Sequence, residues 1–339
     1  MKAAIFLGKG LLEVRELLIP EPDEDEVRIK VLACGICGTD VHIYEGNDGA
    51  SSCSPPAILG HEYAGVIDKI GGNVTGYEIG DLVCVDPNFP CGECSFCRNG
   101  VSHFCENMIG YGNKRPGGFA QYSCVNKKQI YKASVSPNVA AMTEPISCCL
   151  HGIDLSNIKT GDVVAIIGGG FIGSLMIQLS KLAGASKIVL IEPVAEKRDI
   201  GLQLGADICI DPANSDVSAE LRNLGILQIN VVIECVGRVS TMQQAIEIAG
   251  NCATVLLFGL SGRDDTMCVN PYNLFKKEAT IKASYINPVT FDRSLALLNN
   301  GKIDTQTMIA GEVGLSDLKT ILATPEMRKK GKWLLNPWI

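Results

Sequence analysis

Between Asp162 and Glu192 the chain allows few folds. A buried apolar strand runs to Ile167, followed by the turn Gly168-Gly169-Gly170-Phe171-Ile172-Gly173, a helical stretch from Ser174 to Ala183, and a second strand, Lys187 to Ile191, that ends on Glu192. A GxGxxG run alone is a weak signal. Set between a strand and a helix, with an acid at the end of the next strand, it specifies a dinucleotide-binding βαβ unit. The glycines Gly168, Gly170 and Gly173 let backbone amides, with Phe171 and Ile172 in the same turn, approach a pyrophosphate at a helix N-terminus. Glu192 lies 24 positions past Gly168, close to the roughly 20 at which an acid reaches the ribose hydroxyls and repels a 2′-phosphate. That favours NAD over NADP; without the glycines Glu192 would read as a solvated strand end. Lys197 and Arg198 either contact the adenosine side or form a solvated helix face.

The same alternation continues to residue 285. Strands are expected at Ile208 to Ile210, Val231 to Cys235, Thr254 to Gly259 and Thr280 to Tyr285, with helices such as Val239 to Ala249 between them. Six parallel strands with crossover helices make a doubly wound sheet, an α/β fold. Phe258, Leu260, Tyr285 and Asn287 fall at or just past the ends of the last two strands, where ligands bind in such sheets, or simply pack there. Residues 1 to about 144 read differently. Ala3 to Phe6, Val27 to Ala33, Gly65 to Ile70 and Leu82 to Val85 are short apolar or alternating runs cut by Gly, Pro, Asp and Asn. They predict a partly open β-barrel with long functional loops.

Two ligand-rich stretches lie in that first region. From Cys34 to His61 the chain carries Cys37, Thr39, Asp40, His42 and His61, which include two of its four histidines, and Glu62 follows directly. Alone, Cys37 would read as a small buried hydrophobe and His61 as a structural histidine. Together, thiolate, imidazole and carboxylate are the ligand types of an open catalytic zinc site. A hydroxyl two positions after the thiolate suits proton removal from a metal-bound alcohol. The second stretch, Cys91, Cys94, Cys97 and Cys105, has the spacing C-x2-C-x2-C-x7-C. Four thiolates this close satisfy a closed structural zinc, with an iron–sulfur cluster as the rival.

Composition bounds the partners. The net charge of −7, with no basic block, argues against nucleic acid and anionic membranes. The most apolar stretch, Val163 to Leu179, is interrupted by four glycines and reads as strand-turn-helix rather than a membrane span. Fifteen cysteines would suggest disulfides in a secreted chain. With no signal-peptide pattern at MKAAIFLGKG, reduced thiols in a cytoplasmic protein are the expectation.

GICGTDVH followed by GHEYAG resembles the catalytic core of the zinc-dependent medium-chain dehydrogenases, in particular the polyol and sorbitol dehydrogenase branch. The resemblance spans the chain. It implies a GroES-like catalytic domain of residues 1–144 and 286–339 with a structural zinc lobe, and a Rossmann domain of residues 145–285. Cys37 and His61 would bind catalytic zinc, with Glu62 ligating directly or through water. Glu144, in Thr143-Glu144-Pro145, matches the third protein ligand of the polyol branch. Asp40 would accept a bond from the free ring nitrogen of His61. The four-cysteine lobe would hold the second zinc, and Phe258, Leu260, Tyr285 and Asn287 the nicotinamide half of NAD. Thr39 would take the substrate proton, and His42 would relay it through the ribose hydroxyls or stand as a surface imidazole. Gly38 replaces the basic residue of liver-type enzymes, which favours the polyol and threonine branches.

The implied reaction is oxidation of a secondary alcohol of a polyol to a ketone with NAD. L-threonine and polyol phosphates are the alternative substrates. A dinucleotide-sensing protein on the same fold is the non-enzymatic alternative, disfavoured by the complete set Cys37, Thr39, His42, His61, Glu62 and Glu144. A zinc-free quinone reductase relative would lack both cysteine patterns. Family members are dimers or tetramers; Thr280 to Tyr285 would pair across a two-fold axis, and a second interface at the zinc lobe would give a homotetramer.

Overall fold

The computed structural model describes residues 1–47, 49 and 52–339, which divide into two compact units, Met1–Ser147 with Ile286–Ile339, and Cys148–Tyr285. The first unit begins with strands β1 (Lys2–Gly8) and β2 (Leu11–Glu16), a hairpin, then β3 (Glu26–Gly35), helix α1 (Gly38–Tyr44), β4 (Glu62–Ile70) and β5 (Leu82–Val85). A loop-rich lobe follows, with β6 (Asn88–Phe89), α2 (Ser95–Arg98) and β7 (Ile109–Gly110). Then come β8 (Tyr122–Asn126), β9 (Ile130–Lys132), α3 (Pro137–Ala140) and α4 (Thr143–Ser156). Helices α1 and α2, unassigned in the sequence, are short and sit in loops, where propensity carries little signal.

In the second unit β10 (Val163–Ile167) leads into α5 (Phe171–Leu182), β11 (Lys187–Ile191), α6 (Ala195–Gln203), β12 (Ile208–Ile210) and α7 (Val217–Asn223). After these come β13 (Val231–Glu234), α8 (Val239–Ile248), β14 (Thr254–Leu257), α9 (Pro271–Lys277) and β15 (Thr280–Ala283). The first unit closes with α10 (Phe291–Asn299), β16 (Ile309–Val313), α11 (Leu318–Ala323), α12 (Pro325–Arg328) and β17 (Lys332–Leu335).

The first unit is the expected partly open barrel. Its seven-stranded sheet runs β16-β17-β3-β4-β5-β9, with β8 also on β3. Along β3 the side chains alternate: Val27, Ile29 and Val31 are buried, and Arg28 and Lys30 lie between them. This is the period of two that a half-buried strand requires. Phe119, Tyr63 and Leu59 fill the core beneath. The strand β3 ends on Gly35, with Glu62 of β4 opposite it on one side and Leu334 of β17 on the other. Two flanking strands therefore converge on a residue without a side chain.

The second unit is a six-stranded parallel sheet in the order β12-β11-β10-β13-β14-β15. From β10 the chain builds outward through β11 and β12, then returns to start β13 on the other side. The switch point lies between β10 and β13, where doubly wound sheets bind ligands. Val164, Ala165, Ile166 and Ile167 are all buried, because helices cover both faces. Gly168 has φ +100°, and a Cβ on Gly173 would overlap the Gly168 carbonyl, so the turn needs glycine at both places. Strands β13, β14 and β15 end one or two residues before their predicted ends. The Phe258 and Gly259 N–H groups both turn to the Glu234 carbonyl instead of extending the ladder. Among the described residues no helix is long and apolar enough to cross a membrane.

Ile166 has no exposed surface in the central strand β10. Ile166→Ala should lower the unfolding free energy by about 2–5 kcal/mol, read by urea denaturation.

Candidate active site

Cys37 caps the N-terminus of α1. Its N–H donates to Asp40 Oδ2 at 2.9 Å. The other Asp40 oxygen accepts from Gly60 N–H at 3.2 Å and lies 3.4 Å from His61 Nδ1. The buried Asp40 thus ties the helix start to the β4 entrance and orients the imidazole, leaving its second nitrogen for a metal. Burial opposes a charge on His61, but Asp40 and Cys37 outweigh it and hold its pKa well above the usual histidine range. Ligand atoms of Cys37, His61 and Glu62 lie within 4.8 Å of one another. A thiolate, an imidazole and a carboxylate at this separation fit a zinc ion. Glu144 stands buried in the first turn of α4, outside that 4.8 Å group. Thr39 and His42 lie three positions apart on one side of α1, both half-exposed.

The four cysteines of the lobe also converge. The sulfurs of Cys91, Cys94, Cys97 and Cys105 lie within 4.8 Å of one another, and all fifteen cysteines of the chain are free of disulfides. Backbone N–H groups of Glu93 and Cys94 point at Cys91 Sγ at 3.5 and 3.4 Å, and Cys91 N–H points at Cys105 Sγ at 3.3 Å. Those two amides, with the Cys105 thiol, draw the Cys91 pKa down to about 6. Four sulfurs this close, with backbone N–H groups turned onto Cys91, fit a closed structural zinc.

In the second unit the glycine turn caps α5 through Gly170, which has no side chain to cover the start of the helix, the arrangement that suits a bound anion. Glu192 is buried and its carboxylate accepts from Gly169 N–H at 2.6 Å and Val194 N–H at 2.9 Å. The acid is therefore held rigidly against the glycine loop. Arg198 is spent on the Glu192 and Pro193 carbonyls and on Asp211, which leaves Lys197 as the half-exposed cation of this helix face. Leu260 and Tyr285 are exposed at the carboxyl edge of the sheet, and Phe258 lies between them and β14 in the chain.

Residues 23–135 match the alcohol dehydrogenase GroES-like domain family and residues 172–300 the zinc-binding dehydrogenase family. A sorbitol dehydrogenase of Halalkalibacterium halodurans is 32% identical over 91% of each chain. The chain belongs to the zinc-dependent medium-chain dehydrogenases, in their polyol branch. This dehydrogenase is also 36% identical to an L-threonine 3-dehydrogenase of Pyrococcus horikoshii, over 81% of this chain and 79% of that one. Among solved structures, a zinc-binding dehydrogenase from Sinorhizobium meliloti bound to NADP superposes with a TM-score of 0.95, at 36% identity and 99% coverage of both chains. The dehydrogenase is thus an oxidoreductase acting on alcohol substrates, of a zinc-binding, nicotinamide-dinucleotide class.

Three groups of this dehydrogenase escaped the sequence reading. Lys332 of β17 is 5% exposed and pairs with Glu62 Oε2 across Gly35, while its Nζ donates to the Ile36 carbonyl at 3.2 Å. A side chain on Gly35 would overlap both partners. Burial opposes the ammonium, but Glu62, Cys37 and Glu144 together raise its pKa. The only sequence signal was one lysine at the head of an apolar strand. The second group surrounds Asn287, whose amide donates to Asp86 Oδ1 at 3.2 Å and accepts from Asn88 at 2.6 Å, so its side chain is engaged within the first unit. Burial lifts Asp86 to about 6 against the bonds from Asn88 and Asn287. The third is Glu234, at the end of β13.

Glu62 without Lys332 would be a buried charge lacking its cation. Lys332→Met should cost about 3–5 kcal/mol of stability in metal-free protein and distinctly less when zinc is bound beside Glu62. Denaturation with and without chelator checks this; equal losses in both states would contradict it.

Proposed function

We propose that this dehydrogenase oxidises a secondary alcohol of a polyol to the ketone with NAD. The carrying observation is the convergence of Cys37, His61 and Glu62 beside the hydroxyl-bearing helix α1. In this reading Cys37, His61 and Glu144 hold the catalytic zinc with Glu62 beside it, and Cys91, Cys94, Cys97 and Cys105 hold the structural one. When bound, zinc supplies the Lewis acid that lowers the substrate hydroxyl's pKa, and NAD supplies the hydride acceptor. Thr39 accepts a hydrogen bond from that hydroxyl and, as it takes the proton, releases its own, which His42 relays through the nicotinamide ribose hydroxyls towards solvent. Asp40 keeps the His61 ring oriented. Lys332 offsets the Glu62 charge, so that the site is not overloaded with anions.

Glu192 supports NAD, because a carboxylate fixed at the strand end favours ribose hydroxyls over a 2′-phosphate. The NADP found in the Sinorhizobium relative makes this a direct test. Initial rates should give NAD at least about tenfold higher kcat/KM than NADP; the reverse order would overturn the NAD assignment. L-threonine is the second reading, favoured by the Pyrococcus relative. NADH formation over a panel of polyols, polyol phosphates and threonine decides between them.

A cytoplasmic homo-oligomer completes the proposal. Strand β15 lies at the edge of its sheet and its residues are half-buried to exposed, as an edge awaiting a partner would be. A tetramer of 36.2 kDa chains is expected by light scattering; a monomer would refute edge pairing, a stable dimer only the role given to the zinc lobe.

Two outcomes concern the metals. Purified protein should carry about two zinc per chain, one resisting mild chelation because its site is closed. Cys37→Ser should bind NAD yet transfer no hydride from any alcohol; full activity in that variant would sink the zinc mechanism.

A further inference from the structure

Three helices of the second unit begin beyond the carboxyl ends of strands at the switch point, and they are not alike. At α5 the capping residue is Gly170, which brings no side chain to the helix start. At α6 a carboxylate from the preceding strand, Glu192, takes the N–H of the capping Val194. At α8 the same device recurs in stronger form. Glu234, fully buried at the end of β13, accepts from Val236 N–H and Gly237 N–H at 2.9 Å each and from Thr241 Oγ1 at 2.7 Å, all on Oε1. Gly237 N–H also reaches Oε2 at 3.2 Å.

Around this carboxylate two loops are locked together. Gly237 has φ +79°, and a Cβ there would overlap the Leu260 carbonyl. A Cβ on Gly259 would overlap Gly237 N and crowd Glu234 Oε2. Phe258 and Gly259 donate to the Glu234 carbonyl from the other loop. The pair of loops presents Val236 and Leu260, both exposed apolar side chains, beyond β13 and β14, and Val236 lies against Gly168 of the glycine turn.

A dinucleotide spans the switch point as two mononucleotide halves, with the adenosine ribose on the strand-end acid of the first half. Glu192 is that acid. We propose that Glu234 is the positioning residue for the opposite, nicotinamide half: it fixes the loops 235–238 and 258–260 so that Val236 and Leu260 form an apolar seat for the ring. The proposal rests on the dinucleotide reading above. A carboxylate is suited to the task because it accepts several donors at once and complements the positive N-terminal end of α8. An amide would keep an oxygen at one position only, without the charge, and would turn its NH2 towards the Gly237 N–H that Oε2 now accepts.

The test compares AMP, which occupies only the adenosine half, with NADH, by calorimetric titration of the full chain. Glu234→Gln should weaken NADH about tenfold or more while AMP changes less than about twofold. Thr241→Val, which removes one donor and leaves the carboxylate in place, should weaken NADH by about threefold with AMP unchanged; it decides the matter if Glu234→Gln does not fold. Unchanged NADH affinity in the folded variants overturns the proposal. So does equal weakening of AMP and NADH, which would make Glu234 a general support of the sheet. A wild-type protein that binds neither ligand would remove the dinucleotide reading itself.

Discussion

A carboxylate that is 1% exposed, beside a thiolate and an imidazole, has to have its charge answered. For Glu62 the answer comes from both sides: the Lys332 ammonium on one and the space for a divalent cation on the other. This arrangement depends on Gly35. The strand β3 lies between β17 and β4, and only a residue without a side chain lets Lys332 and Glu62 meet across it. Sheet register, a glycine and an ion pair thus form one device. The barrel core beneath holds it rigid, as metal sites require.

The second unit uses a related principle without a metal. Buried acids at strand ends, Glu192 and Glu234, are answered by backbone N–H groups of the loops that follow. Charge-assisted bonds of this kind fix irregular backbone in a way that neutral contacts do not. At α5 the capping residue is instead Gly170, with no carboxylate turned onto the helix start. The lobe repeats the theme at Cys91, whose sulfur is met by the N–H groups of Glu93 and Cys94.

How much of this was legible depended on sequence distance. Cys37, His61 and Glu62 stand close together in the chain, and the four lobe cysteines are closer still, so spacing alone exposed them. The glycine turn was legible because strand, turn and helix are consecutive. Lys332 was not, because its meaning depends on β17 returning beside β3 from the far end of the chain. Glu234 read as one position inside the apolar strand Val231 to Cys235, since nothing local says that its carboxylate will turn back onto Val236 and Gly237. Asn287 read as a ligand contact from its place past a strand end, and nothing local announced that its side-chain amide also bonds Asp86 and Asn88.

By itself the sequence determined the alternating α/β pattern, the glycine turn with its acid, and both sets of metal-type ligands, because local periodicity and ligand spacing are properties of neighbouring residues. Tertiary structure decided which buried charges are compensated and by what. Those choices rest on strand order and register, which bring Lys332 to Glu62 and close two loops on Glu234, and no stretch of neighbouring residues encodes either meeting.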